Sequence, residues 1–167
     1  ENKTTSSIES QNLGGFITYS NKFSDKTVAS LNLRIDSFKK DITRKNNSSS
    51  DGNYTLSNSF EIFSPIISIE HKLSESISTF AKIGYTEKPG GFSAFTTNKE
   101  QSPFESEEIT SYEIGFNLSE KSWNFGIKGF LNDIKNYQFE QPVVNTSDYY
   151  VENAEEASVY GIEIDSL

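Results

Sequence analysis

Apolar and polar residues alternate with a period of two over much of the chain. Ala29, Leu31, Leu33 and Ile35 alternate with Ser30, Asn32, Arg34 and Asp36. Tyr112, Ile114, Phe116 and Leu118 alternate with Ser111, Glu113, Gly115 and Asn117. Phe125, Ile127, Gly129 and Leu131 repeat the pattern, as do Tyr160, Ile162 and Ile164. Weaker versions run through Gly15, Ile17 and Tyr19, through Pro65, Ile67 and Ile69, and through Thr79, Ala81, Ile83 and Tyr85. Successive side chains of a strand point to opposite faces, so this pattern predicts about seven strands, each with one apolar and one polar face. No stretch of useful length carries the helical period.

The connections are of two kinds. Ser24-Asp25-Lys26, Ser74-Glu75-Ser76 and Ser119-Glu120-Lys121-Ser122 are short. Asn46 to Asn58, Glu87 to Glu107 and Gln141 to Asp148 are long and polar. Short and long alternate along the chain. Tight turns at one end and long loops at the other make an antiparallel up-and-down meander.

Two architectures produce such a meander. A soluble β-sandwich buries its apolar face in a core. An outer-membrane barrel presents that face to lipid and the polar face to a wet lumen. A seven-stranded immunoglobulin-like sandwich needs about 14 residues per strand. Here 167 residues over seven strands give about 24 each. Thr27 to about Arg44 and Trp123 to Glu140 read as strands well beyond the globular norm of about five or six. Length and loop asymmetry therefore favour a segment of a transmembrane β-barrel. Phe23, Tyr85, Trp123, Tyr137 and Tyr160 lie near strand ends, where interfacial aromatic girdles fall.

Composition agrees. The chain holds 13 Phe, 8 Tyr and 1 Trp, and only 4 Pro. No apolar run reaches the roughly 18 residues of a membrane-spanning helix. Cys is absent, which excludes disulfides, thiol chemistry and zinc-thiolate sites, and the single His71 forms no multi-His metal site. The formal net charge of -9 argues against nucleic acid as a partner. No signal peptide opens the chain, and Met is absent even at position 1, so a processed product or a piece of a longer chain is expected.

Several stretches are similar to a known family. Ile83-Gly84-Tyr85-Thr86-Glu87-Lys88-Pro89-Gly90-Gly91-Phe92 resembles a Gly-Tyr to Pro-Gly-Gly-Phe stretch in the barrel of TonB-dependent outer-membrane receptors. Pro103-Phe104-Glu105 followed by Ser111-Tyr112-Glu113 resembles the start of the next strand. Phe130 to Gln138, with its Asp133, Tyr137 and Gln138, resembles a further strand, and Asn153-Ala154, Ala157 and Gly161-Ile162-Glu163 a third. Phe63-Ser64-Pro65 resembles an earlier strand start. Their order and spacing carry the resemblance, which looks most like receptors of the yersiniabactin/pesticin type. It covers most of residues 60 to 165, and residues 11 to 45 fit an earlier hairpin of the same barrel.

The resemblance implies residues 1–167 are part of a barrel of about 22 strands, lacking the plug domain and the remaining strands. It implies residence in the outer membrane among its lipids and import of a large scarce nutrient, a ferric siderophore by preference. The TonB complex would act through the missing plug. No cofactor and no enzymatic activity are implied. A small complete outer-membrane barrel and a soluble β-sandwich binding module are the alternatives.

No catalytic constellation is visible. There is no Gly-x-Ser-x-Gly elbow, and His71 has no nameable partner. Glu107-Glu108 and Glu155-Glu156 read as solvated rim charges, because neighbours on a strand face opposite ways. Ser50-Asp51-Gly52-Asn53 reads as a turn, since the acidic series of a calcium loop is missing. Pro89-Gly90-Gly91 predicts a sharp bend helped by positive φ at glycine. Phe92, Phe95 and Phe104 in the long loop, with Tyr149 and Tyr150, either pack against the plug and other loops or help grip a ligand. Arg34, Asp36, Glu113, Lys128 and Glu163 on the polar face are expected to pair across strands or hold the plug.

Overall fold

The computed structural model describes residues 4–47, 52–143 and 148–166. It is an antiparallel meander. The long strands are β1 (Thr4–Ser24), β2 (Thr27–Asn46), β3 (Tyr54–Lys72), β4 (Ile77–Lys88), β7 (Glu107–Glu120), β8 (Trp123–Pro142) and β9 (Tyr149–Ser166). They form one seven-stranded sheet in sequence order. Two short strands, β5 (Gly91–Phe92) and β6 (Pro103–Phe104), pair with each other inside the loop after β4. A 3-10 turn, Lys99–Gln101, lies between them, where alternation predicts no helix. β1 and β9 are the free edges of the sheet among the described residues.

Strand length is the first feature that sets the architecture. β1 has 21 residues and β2 has 20, so each runs about 65 Å at 3.3 Å per residue. The hydrocarbon core of a bilayer is about 30 Å thick. These strands cross such a layer and project well past it. On β2 the face carrying Ala29 to Ile35 turns polar at Ser37, Lys39 and Asp41, which marks where the apolar belt ends.

Register is the second feature. Tyr19, Leu31, Ile67, Ile83, Tyr112, Leu131 and Tyr160 are paired in succession and form one row across all seven strands. The row has nothing packed over it: Tyr19 is 64% exposed, Ile67 55% and Tyr160 79%. An unbroken apolar row left uncovered is the outer face of a lipid-embedded sheet. A sandwich would have buried it.

The opposite face carries the charges. Lys82 and Glu113 lie 2.7 Å apart, Lys128 and Glu163 2.8 Å, and Lys128 also reaches Glu113 at 3.8 Å. This ladder crosses β4, β7, β8 and β9. Arg34 and Asp36 pair along β2 instead, through bonds of 2.6 and 2.7 Å. Phe80 lies over Gly115 and Phe130 over Gly161, its cross-strand partner in each case.

Two readings are corrected. The loop from Asn46 to Asn58 is shorter than polarity suggests, because Tyr54 onward already pairs with β2. Thr55, Ser57 and Ser59 there occupy one face of a strand that stands clear of the belt. Gly52 does sit in a turn with φ 73, while Ser50 and Asp51 fall outside the described residues. Gly90 and Gly91 do not adopt positive φ; among the described glycines only Gly52 does. They are needed for close approach: a Cβ on Gly90 would collide with the Phe104 carbonyl and the Phe60 ring.

Candidate functional site

Residues 89–106 do not stand away from the sheet. They fold onto its polar face, above the charge ladder. Alternation places Lys40, Ile42 and Arg44 of β2 and Tyr54, Leu56 and Phe60 of β3 on that face, and the loop covers them. Phe92 packs with Ile42 and Tyr54, with Leu56 beside them, in the one buried hydrophobic cluster of the described residues. Ile42 is fully buried. The core of this sheet is therefore a contact between loop and wall.

Polar contacts hold the loop on both flanks. On the β1–β3 side, Lys40 donates to the Gly90 carbonyl at 2.6 Å and Arg44 to the Ala94 carbonyl at 3.1 Å. Ser6 also donates to Ala94, at 2.6 Å, and Tyr54 to the Thr96 carbonyl at 2.9 Å. On the β8–β9 side, Gln138 Nε2 reaches the carbonyls of Lys88, Pro89 and Glu105. The amide of Val151 donates to Ser93 Oγ at 2.8 Å.

The motif residues meet here. Gln138, Asn153, Glu105 and Lys88 to Phe92 are far apart in sequence, and each contributes to the base of the loop. Glu107 is the correction among the acids. It is buried, accepts the Gln138 N–H at 2.8 Å and has Lys88 at 4.0 Å, so it is no rim charge. Glu108 points to the other face, and Glu155 and Glu156 are exposed on β9. Alternation placed the Glu107 side chain toward the polar face. The loop that buries it was invisible.

The five aromatics separate. Phe92 is buried in the cluster and Phe104 is half-buried against Gly91. Phe95 is 63% exposed and Tyr149 50% exposed, whereas Tyr150 is half-buried. A cavity of about 640 Å³ is formed by β1 to β4, lined by Phe16, Phe38, Ile62 and the Arg34–Asp36 pair among others, and none of the five lines it. Its apolar lining was the missed signal: Phe16, Phe38, Ile62 and Ile66 are large apolar residues at polar-face positions. His71 is on the apolar face and bonds Thr27 Oγ1 at 2.9 Å. No cluster of metal-ligating side chains occurs among the described residues.

Lys40 lies beyond the apolar belt. Burial, and then the neighbouring charge of Lys88, push its ammonium below the usual lysine range. It also sits 5.8 Å from the Phe60 ring centroid.

A meander with an uncovered apolar face, a charge-paired polar face and a loop pinned to the latter is the wall of an outer-membrane barrel. Residues 2–166 match the family model described as TonB dependent receptor-like, beta-barrel, and the chain belongs to that family. The ferric yersiniabactin uptake receptor FyuA from Yersinia pestis superposes with a TM-score of 0.82 at 17% identity, over 98% of this chain and 25% of that one. The copper transporter OprC gives 0.76 at 14% identity, over 95% and 26%. The siderophore receptor PirA from Pseudomonas aeruginosa gives 0.59 at 16%, over 96% and 40%. The chain thus spans about a quarter of the length of the first two. No curated protein sequence matches it. Its place is the bacterial outer membrane.

Proposed function

We propose that this chain is part of the barrel wall of a TonB-dependent receptor that imports a ferric siderophore. The observation that carries the reading is the loop of residues 89–106, turned inward and fastened to the polar face on both flanks. An inward loop narrows the lumen and presents side chains to a ligand entering from outside. Phe95 and Tyr149, the exposed aromatics, contact the ligand. Phe104 and Tyr150 back them, and Phe92 sets the loop's position. FyuA and PirA, named for siderophore uptake, support the choice of cargo. The chain provides wall and loop, takes no cofactor and catalyses no reaction. The plug and the TonB complex that acts on it belong to the remainder of the receptor, beyond residues 1–167.

The test is uptake of radioactive iron by cells whose only ferric-siderophore receptor is the intact protein. A panel of siderophores is offered with and without TonB. TonB-dependent accumulation from at least one siderophore is expected. Accumulation of copper but of no iron complex would overturn the siderophore reading.

A further inference from the structure

β3 and β4 separate at Pro65. β3 pairs with β2 from Tyr54 to His71, but with β4 only from Ile66 to Lys72. In an antiparallel pair the N–H and C=O of one residue point to the same neighbour, and successive residues alternate between neighbours. Lys72 donates to the Lys26 carbonyl beside β2, and Leu73 to the Ile77 carbonyl at the start of β4. Even residues of β3 therefore face β2, and odd residues face β4. Pro65 is odd, has no N–H to give β4, and the ladder ends there. Above it β4 pairs only with β7, as far as Lys88. The chain then turns inward, and the Gly90 carbonyl accepts from Lys40 on the polar face.

The odd residues of β3 above Pro65 thus form an open edge that rises from the margin of the apolar belt. Thr55, Ser57, Ser59, Glu61 and Phe63 are all exposed. None of their backbone N–H groups bonds another segment among the described residues; that of Ser59 bonds the side chain of its neighbour Asn58, at 2.9 Å. The edge of β8 that faces the same loop is blunted. Val143 donates to Asp148 on the β9 side, so the even residues of β8 face β7. Among these, the Gln138 N–H is capped by Glu107, and Pro142 has no N–H. Such devices are how sheets protect an edge, and β3 lacks them over this stretch. Closing the barrel covers β1 and β9 but not this edge, because β4 is already the neighbour of β3.

We infer that the edge of β3 from Thr55 to Phe63 is a docking site for an extended, basic polypeptide of a second protein, which adds to it as a strand. Main-chain hydrogen bonds hold a strand added in this way, and its alternate side chains give selectivity. Nine residues at 3.3 Å each offer an edge of about 30 Å. Charge decides the kind of partner. Glu61 lies on the outward side of the edge, and Glu87 and its cross-strand partner Glu108 lie on the same side of β4 and β7. No cation pairs with any of the three among the described residues. Lysine or arginine on the outward side of an added strand would meet these carboxylates. The side chains that point inward would meet the cavity at the foot of the edge, between Ile62 of β3 and Thr86 of β4. The Ser64–Thr86 hydroxyl bond, 2.8 Å long, closes the fork below.

The full-length receptor in detergent is titrated calorimetrically with a nine-residue peptide that alternates lysine and valine. Two comparison peptides carry aspartate for lysine, or N-methyl groups on all the amides. The lysine peptide should bind, and each comparison peptide should bind about tenfold more weakly or worse. Ser57→Pro removes a donor from the open edge and leaves the β2 ladder whole, because odd residues face away from β2. Glu61→Lys reverses the charge beside the edge. Each should weaken binding of the lysine peptide about tenfold. Glu120→Lys, at the opposite end of the wall, makes the same change in net charge and should leave binding as it was. Thermal melts check folding, and if Ser57→Pro does not fold, the methylated peptide and Glu61→Lys decide. Failure of the wild type to bind the lysine peptide, as when another part of the receptor already covers the edge, would overturn the site. So would equal binding of the methylated peptide, unchanged affinity in folded Ser57→Pro, or an equal loss in Glu120→Lys and Glu61→Lys.

Discussion

Asn153 brackets the backbone of Glu105. Its side-chain oxygen accepts the Glu105 N–H at 2.9 Å, and its side-chain nitrogen donates to the Glu105 carbonyl at 3.1 Å. The same nitrogen donates to the Asn136 carbonyl at 2.8 Å, at the residue of β8 whose φ of 52 interrupts pairing with β9. A side-chain amide offers a donor and an acceptor on one planar group, as a backbone segment does. The end of the loop is thereby stitched to β9 without a ladder. Asn153→Leu in the intact protein should loosen the loop by about 1–2 kcal/mol and leave the barrel intact. Hydrogen exchange at the Glu105 amide reads this; unaltered protection there would refute the clamp.

Neighbouring acids should behave differently. Glu107→Ala removes the acceptor of the Gln138 N–H and uncovers Lys88, at an expected cost of about 1–3 kcal/mol. Glu108→Ala, on the opposite face, should cost about 0.5 kcal/mol or less. Urea midpoints of the two variants give the comparison. Equal shifts would mean that Glu107 is not held as described.

The charge ladder predicts coupling that salt weakens. Glu113 bridges Lys82 and Lys128, and its side chain is 19% exposed. A double-mutant cycle on Lys82 and Glu113 should give about 0.5–1 kcal/mol in dilute buffer and less in high salt. A coupling that salt leaves unchanged would point to packing instead of charge.

Adjacent positions test which face meets lipid. Ile67 lies in the apolar row and Ser68 beside it on the polar face. Ile67→Arg should lower stability in lipid vesicles by about 2–4 kcal/mol, whereas Ser68→Arg should be nearly neutral. The reverse order would turn the sheet inside out.

Much of this fold was legible in the residues. Alternation located all seven strands, and strand length with loop asymmetry separated a membrane wall from a sandwich. It worked because both faces of the sheet are set by their surroundings: lipid demands an unbroken apolar side, and a wet lumen tolerates charge. Pairing of Lys128 with Glu113 and with Glu163 followed from the same logic. Arg34 and Asp36 depart from it, pairing along β2, because Gly14 opposite Asp36 leaves room for the carboxylate to lie flat.

The site was less legible. Phe92 and Phe95 lie three residues apart in one loop, yet one is buried against Ile42 and Tyr54 and the other is exposed. Nothing local distinguishes them. Periodicity determined the strands and their faces, because those preferences act residue by residue, and strand length with loop asymmetry pointed to the membrane. Only the tertiary structure decided that residues 89–106 turn inward, that Glu107 is buried, and that Lys40 and Arg44 lack carboxylate partners among the described residues. Each depends on groups far apart in sequence meeting above the belt, where no solvent preference fixes a loop's direction and side-chain contacts with the wall do.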